Sequence, residues 1–513
     1  MQILPSEVRQ TNGDKPYAGL ELWLLAGSQD MYGPETFARV VDQSREVAQA
    51  LNALESIPVK VVARDVATSA DGILRVCREA NDAAGCVGVI AWMHTFSPAR
   101  MWIAGLSALR KPLLHLNTQF NQRLPWSEID MDFMNLNQSA HGDREFAYMA
   151  TRMGIRRKTV VGHWLDPRTA EKLSTWARAA CGWHESQRLR VARFGDNMRN
   201  VAVTDGDKVE AQIRLGVSVD GYGVSELVEA IDAAAPDVVE AIVEAYEADY
   251  ELAPELSHGG GRRASLIESA RIEAGLRSFL MAGDYGAFTD TFEDLHGLSQ
   301  LPGIAAQRLM ADGYGFGAEG DWKTAALLRI FKAITLGLPG GTSFIEDYTY
   351  DLTPGKERVL GSHMLEVCPS IAGQRPRCEI HPLSIGGRGD PVRLVFEAAP
   401  GPAVLISILD LGNRFRLVAN EVDLVPADEP LPKLPVAYAL WELRPDFFTA
   451  TEAWLAAGGP HHSVLTTSVG LDTVRDFATI AGIELVAIEG SSTLPSLLNE
   501  LRWNEFGYGS QCQ

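Results

Sequence analysis

The chain has 513 residues, which predicts two or three domains, because folded domains usually contain about 100–200 residues each. Its residues are 46% hydrophobic and 22% charged, a composition that is typical of compact proteins and excludes a disordered chain. The formal net charge of −20 repels nucleic acids and anionic membranes, but a small neutral substrate is indifferent to it.

Two further features predict a cytoplasmic protein. The N-terminal stretch "MQILPSEVRQTNGDK" lacks the basic and then apolar pattern of a signal peptide, and no run approaches the about 18 apolar residues of a membrane span. The six cysteines have no CxxC spacing, so we expect reduced and buried thiols. They are Cys77, Cys86, Cys181, Cys368, Cys378 and Cys512.

Short apolar runs alternate with amphipathic ones from Leu20 to about residue 195. The apolar runs are predicted to be buried strands: "LELWLLAG", "VKVVARDV", "CVGVIAWM", "KPLLHL", "TVVGHW" and "LRVARFGD". Helices are predicted between them, at "PETFARVVDQSREVAQALN" and "DPRTAEKLSTWARAA". This alternation predicts a doubly wound α/β domain with a parallel sheet.

The middle of the chain is predicted to be mainly helical. Residues 220–285 are acidic and contain "SELVEAIDAAAPDVVEAIVEAYEADY" and "SLIESARIEAGLRSFLMAG", both with helical periodicity. The preceding stretch "NVAVTDGDKVEAQIRLG" is predicted to form short strands, and "HGGGRR" at 258–263 is predicted to be a flexible loop.

The pattern changes after residue 340. The stretch "VRLVFEAAPGPAVLISILDLGNRFRLVANEVDLV" alternates strands and turns without a helix, which predicts an antiparallel sheet or barrel. Helical and apolar segments alternate again from about residue 447 to the C-terminus.

A carboxylate lies in the glycine-rich stretch "GYGFGAEGDWKTAALLRIFKAI". Glu319 directly precedes a predicted helix whose N-cap is Asp321. The helix N-terminus would stabilise the anionic form of Glu319. Taken alone, the stretch fits a surface loop equally well, and it has no lysine at the spacing of a phosphate-binding loop.

A predicted β-hairpin brings a second carboxylate close to an imidazole. In "GTSFIEDYTYDLTPGKERVLGSHMLEV" at 341–367, a turn at Pro354-Gly355 would put Glu346 directly opposite His363. Opposed residues have β-carbons about 5 Å apart, so both side chains would project from one face of the sheet. An exposed ion pair of little energetic value is the simplest interpretation.

Strand alternation favours a different interpretation of the hairpin. It places Glu346 on one face with Phe344, Tyr348 and Tyr350, where a carboxylate is costly unless its charge is compensated. A divalent metal ion would compensate it. Two adjacent imidazoles in "AAGGPHHSVLTTS", His461 and His462, are further candidate ligands, although such histidines often only pack and form hydrogen bonds.

Two carboxylates with two imidazoles suit Mn²⁺, Co²⁺ or Fe²⁺ better than a structural Zn²⁺ site, which favours cysteine. The spacing in the sequence does not establish that Glu319, Glu346, His363 and one of the later histidines converge.

Long polar blocks of the sequence resemble those of bacterial L-arabinose isomerases. They include "GSQDMYGPETF" at 27–37, "WMHTFSPARMWIAGL" at 92–106, "NTQFN" at 117–121, "IDMDFMNLNQSAHGDREF" at 129–146, "AEGDWKTAALLR" at 318–329, "GGTSFIEDYTY" at 340–350, "GSHMLEVCPSIA" at 361–372 and "RWNEFGYG" at 502–509. The resemblance extends from about Leu20 to about Gly509. Two departures are Ala318, where the family usually has Gly, and Met31, where it often has Leu.

The resemblance implies the fold of fucose and arabinose isomerases in three domains. These are an N-terminal Rossmann-like doubly wound domain (1–189), a central α/β domain (190–341) and a C-terminal domain with an antiparallel β-barrel (342–513). It also implies a homohexamer with sites at subunit interfaces, which His141 of a neighbouring subunit reaches.

The resemblance further implies one Mn²⁺ per subunit, with Co²⁺ as a possible substitute, bound by Glu319, Glu346, His363 and His462. The implied substrate contacts are Gln29, Met31, Tyr32, Gln138, His141, Met198, Phe292, Tyr348, Met364 and His461.

The implied reaction converts L-arabinose to L-ribulose, and D-galactose to D-tagatose, as the first step of arabinose catabolism. Glu319 and Glu346 would be the acid and base that move a proton between C2 and C1 through an enediol, while the metal polarises the sugar oxygens. A metal-dependent hydrolase and a non-catalytic sugar-binding module are the alternatives.

Overall fold

A computed structural model of the protein describes residues 15–383 and 387–509. The N-terminal leader through residue 14 and Cys512 therefore lie outside the described residues. Contacts divide the described chain into two compact units: the first contains residues 15–184 and 475–482, and the second contains 185–474 and 483–509. The five cysteines within the described ranges are buried and free, as predicted.

The first unit is built on a parallel sheet of five strands in the order β2-β1-β3-β4-β5. The strands are β1 (Glu21–Ala26), β2 (Lys60–Ala63), β3 (Cys86–Trp92), β4 (Leu113–Asn117) and β5 (Lys158–Val161). The helices are α1 (Gly33–Ala53), α2 (Ala70–Asp82), α3 (Ile103–Ala108), α4 (Met131–Leu136), α5 (Ser139–Arg152) and α6 (Pro167–Ser186).

The predicted parallel α/β architecture of this region is confirmed. Every residue of β3 is buried, as expected for a central parallel strand covered on both faces. The strand order is that of the flavodoxin type of doubly wound sheet, whose topological switch point lies between β1 and β3.

The second unit begins with a parallel sheet of four strands in the order β10-β9-β6-β7. Its strands are β6 (Arg190–Phe194), β7 (Ser218–Tyr222), β9 (Ala287–Asp290) and β10 (Gly315–Gly317), and β8 (Glu251–Leu252) lies outside this sheet. The helices are α7 (Lys208–Leu215), α8 (Val224–Asp232), α9 (Pro236–Asp249), α10 (Arg263–Ala282), α11 (Gly303–Ala311) and α12 (Trp322–Ile334).

The prediction of short strands in "NVAVTDGDKVEAQIRLG" is wrong, because α7 occupies its second half. Asp207 caps the helix by accepting hydrogen bonds from the backbone N–H groups of Val209 and Glu210, both 2.9 Å away. Gly216 ends it in a left-handed conformation with φ +75°. The capping residues were therefore the better signal. The "HGGGRR" stretch forms turns that lead into α10.

Within its described residues, the rest of the second unit contains nine strands. They are β11 (Thr342–Asp351), β12 (Arg358–Ser362), β13 (Arg377–Ile380), β14 (Val392–Val395), β15 (Gly401–Asp410), β16 (Phe415–Val425), β17 (Tyr438–Leu443), β18 (His462–Thr466) and β19 (Glu484–Ile488). The helices are α13 (Phe447–Ala456), α14 (Leu471–Ala481), which extends into the first unit, and α15 (Leu494–Gly509).

Seven of these strands form one sheet in the order β15-β18-β11-β12-β17-β16-β19, and all its pairs are antiparallel except β16 with β19. Strand β15 also pairs with β16, so six strands form a closed series of pairings. Strand β14, predicted as part of one meander with β15 and β16, pairs instead with β13 in a separate three-stranded sheet that includes β8.

None of the helices within the described residues is both long and apolar enough to cross a membrane.

Candidate metal centre

Glu319 lies in the tight connection between β10 and α12. Its backbone is in the left-handed region with φ +62°, a conformation that is costly for a residue with a side chain. Two hydrogen bonds hold the connection: the Met198 N–H donates to the Glu319 carbonyl, and the Gly320 N–H donates to the Asp290 carbonyl, each at 2.9 Å. A β-carbon at Gly320 would lie 2.6 Å from Asn197 Cα, so only glycine fits there.

Asp321 is the N-cap of α12, as predicted. Its carboxylate accepts hydrogen bonds from the backbone N–H groups of Lys323 (3.1 Å) and Thr324 (3.3 Å). It also accepts one from His462 Nδ1 at 2.9 Å, and the buried Lys323 ammonium lies 3.2 Å away. Burial alone would raise the pKa of Asp321, but Lys323 and His462 outweigh burial and hold that pKa well below its usual range.

The predicted register of the hairpin is correct near its turn and wrong at the site. Tyr350 pairs with Val359, as a turn at Pro354-Gly355 requires, but a bulge between Asp347 and Thr349 shifts the pairing by one residue. Glu346 therefore faces Ser362 instead of His363. The bulge also interrupts the predicted aromatic face, and Tyr348 and Tyr350 are 54% and 46% exposed.

Strand β18 pairs with β11 on the side opposite to β12, and it supplies the histidine that lies directly across from Glu346. In this pair Glu346 is directly opposite His462. The Oε1 atom of Glu346 lies 3.1 Å from His462 Nε2 and 3.5 Å from His363 Nε2, and Glu319 Oε2 lies 3.7 Å from His462 Nε2. The structure thus brings together all four residues that the family resemblance nominates as metal ligands.

Each of the two imidazoles is oriented by a second carboxylate. His363 Nδ1 lies 2.5 Å from Glu366 Oε2, and His462 Nδ1 is bound to Asp321. A carboxylate in this position fixes the tautomer in which the opposite ring nitrogen, Nε2, is free to bind a metal. Burial would lower the pKa of His363, but Glu346 and Glu366 outweigh burial and raise it to about 9.

The remaining groups respond to the same local charges. Burial would lower the pKa of His462, but Asp321 and Glu346 raise it to about 9. Burial would raise the pKa of Glu346, but His363 and His462 outweigh burial and lower it. Burial, opposed by His462 and reinforced by Glu346, raises the pKa of Glu319.

The geometry of the donor atoms fits a divalent cation. Glu346 Oε1 and His462 Nε2 are buried donor atoms that lie 3.1 Å apart. Adjacent ligands of an octahedral ion at about 2.1 Å are about 3 Å apart. Donor atoms of Glu319, Glu346 and His363 all lie within 4.8 Å of one another.

The predicted substrate contacts in the second unit surround these donors. Phe292 and Met364 line a cavity with Glu319 and His363. Tyr348 is close enough to Glu346 and Glu319 for both to add to the effect of burial in raising the pKa of its hydroxyl. Met198 is bound to the Glu319 backbone, and His461 packs edge-on against His462 with ring centroids 4.4 Å apart.

The other predicted contacts belong to the first unit. Gln29 Nε2 and Gln138 Nε2 both donate to the Tyr32 hydroxyl, at 3.1 and 3.3 Å. Met31, next to Tyr32, is 76% exposed. His141, in the first turn of α5, packs against Phe96 with ring centroids 4.6 Å apart. These five residues follow β1 or begin α5, near the switch point where doubly wound sheets bind ligands.

Sequence reasoning missed two carboxyl groups of the centre. Glu366 was not recognised, although a histidine and a glutamate three residues apart are the available signal for such a pair. Asp290, the last residue of β9, lines the cavity with Glu319, and its sequence context offers no signal beyond the end of a buried strand.

Two carboxylates and two imidazoles, the latter each supported by a further carboxylate, define a candidate metal centre of the mixed oxygen and nitrogen class used by Lewis-acid enzymes. Family comparisons identify the particular group of proteins. Models for the L-arabinose isomerase N-terminal, central and C-terminal domains match residues 16–188, 190–337 and 341–484.

Individual relatives match along nearly their entire length. The L-arabinose isomerase of Nocardioides sp. is 61% identical over 485 residues, which cover 94% of the chain and 97% of that protein. The enzymes of Koribacter versatilis and Mycolicibacterium smegmatis are each 59% identical, over 95% and 94% of the chain and 97% and 96% of those proteins. The chain belongs to the L-arabinose isomerase family.

Proposed function

We propose that the chain converts L-arabinose to L-ribulose by proton transfer between C2 and C1 of the open-chain sugar. The observation that carries this proposal is the convergence of Glu319, Glu346, His363 and His462, supported by identities of 59–61% to L-arabinose isomerases.

The reaction needs a group that removes the C2 proton, a group that delivers a proton to C1 and a stabiliser for the negative charge between them. A bound divalent cation would supply the last function by polarising the two sugar oxygens. Glu319, which lines the cavity, and Glu346, whose carboxylate has a donor atom within 4.8 Å of one on Glu319, supply the first two, because both carboxylates can carry a proton.

The surrounding residues position these two carboxylates. The left-handed backbone at Glu319 is held by the hydrogen bond from the Met198 N–H and by the one that Gly320 donates to the Asp290 carbonyl. Glu346 is held by the β11–β18 pairing. Asp321 and Glu366 hold His462 and His363 in the tautomer that directs Nε2 at the ion.

Several finer features are part of the same proposal. The cation is Mn²⁺, which Co²⁺ replaces, because mixed carboxylate and imidazole sites suit these ions. The six strands joined in a closed series of pairings form the C-terminal β-barrel, and the three domains divide at 189 and 341.

The proposed assembly is a cytoplasmic homohexamer that works in arabinose catabolism and also converts D-galactose to D-tagatose. His141 reaches a neighbouring subunit's site.

The test is to incubate purified protein with L-arabinose and Mn²⁺ and to measure L-ribulose, with Glu319→Gln as the matched control. Ketose formed by the unmodified chain and absent with the variant is the expected result. Hydrolysis of an ester or amide without ketose would favour the hydrolase alternative, and sugar binding without product would favour a binding module.

The route of the hydrogen is tested by running the reaction in D₂O. Because a carboxylate exchanges its proton with solvent, ketose should carry deuterium at C1, partially where the base returns the same proton first. Product without deuterium across several pH values would indicate a hydride shift and leave Glu319 and Glu346 as ligands only.

A further inference from the structure

Asp290 is a buried carboxyl group that the proposed mechanism does not use. It ends β9, between β10 and β6, and its carbonyl accepts the hydrogen bond from the Gly320 N–H that fixes the Glu319 connection. Its side chain is thereby held at the carboxyl edge of the parallel sheet, where ligands of α/β proteins bind. Asp290 is only 7% exposed.

The carboxyl group of Asp290 lacks the compensation that a buried carboxylate such as Glu273 has. Asp290 Oδ2 is buried and has no hydrogen-bond partner among the described residues. Glu273, which is fully buried in the same unit, instead accepts a hydrogen bond from the Tyr246 hydroxyl at 2.7 Å and from Arg277 Nε at 2.8 Å. An unpaired buried polar atom is costly, and in a binding cavity it indicates a missing ligand group.

The cavity beside Asp290 is the one that contains the candidate centre. It is lined by Glu319, His363 and Glu366 on its polar side and by Phe292 and Met364 among its apolar residues. Burial, reinforced by Glu366 and opposed by His363, raises the pKa of Asp290 to about 7.

We propose that Asp290 binds a hydroxyl group of the open-chain sugar beyond C2, and so sets the position of the carbon chain relative to Glu319. A sugar hydroxyl both donates and accepts, and it would satisfy the unpaired Oδ2. The inference rests on the proposed function, under which the oxygens at C1 and C2 face Glu319 and Glu346. Asp290 is then a substrate-binding residue that forms a hydrogen bond with one hydroxyl group of the sugar.

The test uses L-arabitol, which has the hydroxyl groups of the sugar but no carbonyl to isomerise, together with its 3-deoxy, 4-deoxy and 5-deoxy analogues. Dissociation constants are measured by calorimetry with Mn²⁺-loaded protein, for the unmodified chain, Asp290→Ala and Asp290→Asn. We expect Asp290→Ala to weaken the binding of L-arabitol by about 10- to 100-fold. Asp290→Asn should weaken it less, because the amide keeps a donor and an acceptor.

The analogues locate the contact as a double-mutant cycle. One deoxy compound should bind the unmodified chain weakly, and Asp290→Ala should reduce its affinity little further, because the hydroxyl group that binds the carboxyl group is already absent. For the other two compounds, Asp290→Ala should reduce the affinity as much as it does for L-arabitol. Equal losses for all three analogues, or unchanged L-arabitol binding by Asp290→Ala, would overturn the inference.

Two controls separate a substrate contact from a structural role. Asp347→Asn removes another buried carboxyl group with an unpaired oxygen, Oδ1, that is not part of the cavity wall, and it should leave L-arabitol binding unchanged. Mn²⁺ affinity measured without sugar should also be unchanged in Asp290→Asn. A loss of Mn²⁺ affinity that matches the loss of L-arabitol would assign Asp290 to the metal site instead and overturn the inference.

The proposed function can fail separately. If the unmodified chain forms no L-ribulose, the proposed function fails and the inference fails with it. If the unmodified chain forms L-ribulose and Asp290→Ala binds L-arabitol normally, only the inference about Asp290 fails.

Discussion

Replacement of Asp321 tests whether one carboxylate both starts α12 and orients a metal ligand. Asp321 is 1% exposed and contacts the N–H groups of Lys323 and Thr324, the Lys323 ammonium and His462 Nδ1. Asp321→Ala removes the helix cap, the acceptor of the buried His462 N–H and the negative charge beside the buried Lys323 ammonium, which keeps its hydrogen bonds to the Val203 and Asp205 carbonyls. Asp321→Asn retains a good N-cap and removes only the charge.

The two variants should differ in stability and agree in metal affinity. Loss of the cap costs about 1 kcal/mol, and removing one partner of a buried charge pair costs about 3–5 kcal/mol, so Asp321→Ala should lose about 4–6 kcal/mol of unfolding free energy. Asp321→Asn should lose about 1 kcal/mol less. Both should weaken Mn²⁺ binding by about 10- to 100-fold, because His462 loses the carboxylate that fixes its tautomer.

Urea unfolding measures the first quantity, and calorimetric titration with Mn²⁺ measures the second. Asp446→Ala is the matched control, since Asp446 caps α13 through the Thr449 N–H at 2.9 Å and no imidazole bond to it is found in the described chain. It should lose about 1 kcal/mol and keep its Mn²⁺ affinity. An Asp321→Asn protein that binds Mn²⁺ as tightly as the unmodified chain would refute the orienting role.

Three further predictions concern the metal, the proton-transfer groups and pH. Protein stripped with EDTA should lose activity, and Mn²⁺ should restore it better than Mg²⁺, because imidazole ligands favour the softer ion; full turnover by protein shown to be metal-free by elemental analysis would contradict this. Glu319→Gln and Glu346→Gln should each lower turnover at least about 100-fold at saturating Mn²⁺, whereas His363→Ala and His462→Ala should mainly raise the Mn²⁺ dissociation constant; near-normal rates in either Gln variant would refute the roles assigned. Burial lowers the pKa of His94 to about 4, against about 6.5 in the unfolded chain. The contribution of the neutral, buried His94 to the free energy of unfolding is therefore complete above pH 6.5 and is lost as the pH falls towards 4. Between pH 7 and pH 5, the free energy of unfolding in urea should fall by about 2 kcal/mol less for His94→Phe than for the unmodified chain. Equal decreases in the two proteins would contradict the assignment.

Local patterns in the sequence predicted those parts of the fold that local physics controls. The parallel sheet of the first unit follows from apolar runs such as β3, which is buried along its whole length. Asp321 was identified as an N-cap because Asp followed by a helical pattern is a local signal. Capping signals also flank α7, with Asp207 before the helix and Gly216 after it, although this stretch was predicted to form strands.

The centre itself depended on features that no local pattern specifies. The turn at Pro354-Gly355 sets the first pairs of the hairpin correctly, but the bulge after Asp347 shifts the register, so that Glu346 faces Ser362 while its side chain still lies 3.5 Å from His363 Nε2. The true cross-strand partner, His462, lies on β18, which pairs with β11 only because the sheet brings distant segments together. A bulge and a non-local pairing are tertiary choices, so neither was accessible from the alternation of residues alone.

The convergence of these segments explains why the centre needs two different kinds of support. Glu319 depends on a parallel sheet, because its left-handed backbone is held by Asp290 at the end of β9 and by Met198 in the loop that follows β6. Glu346 and His462 depend instead on antiparallel pairing, which fixes the separation of their donor atoms at 3.1 Å. Asp321 joins the two supports, because it caps the helix that follows Glu319 and binds the imidazole on β18. A cation bound between them would therefore link the two sheets that α12 connects along the chain. The free energy of metal binding would then stabilise the packing of these sheets, in addition to the role of the cation in the reaction.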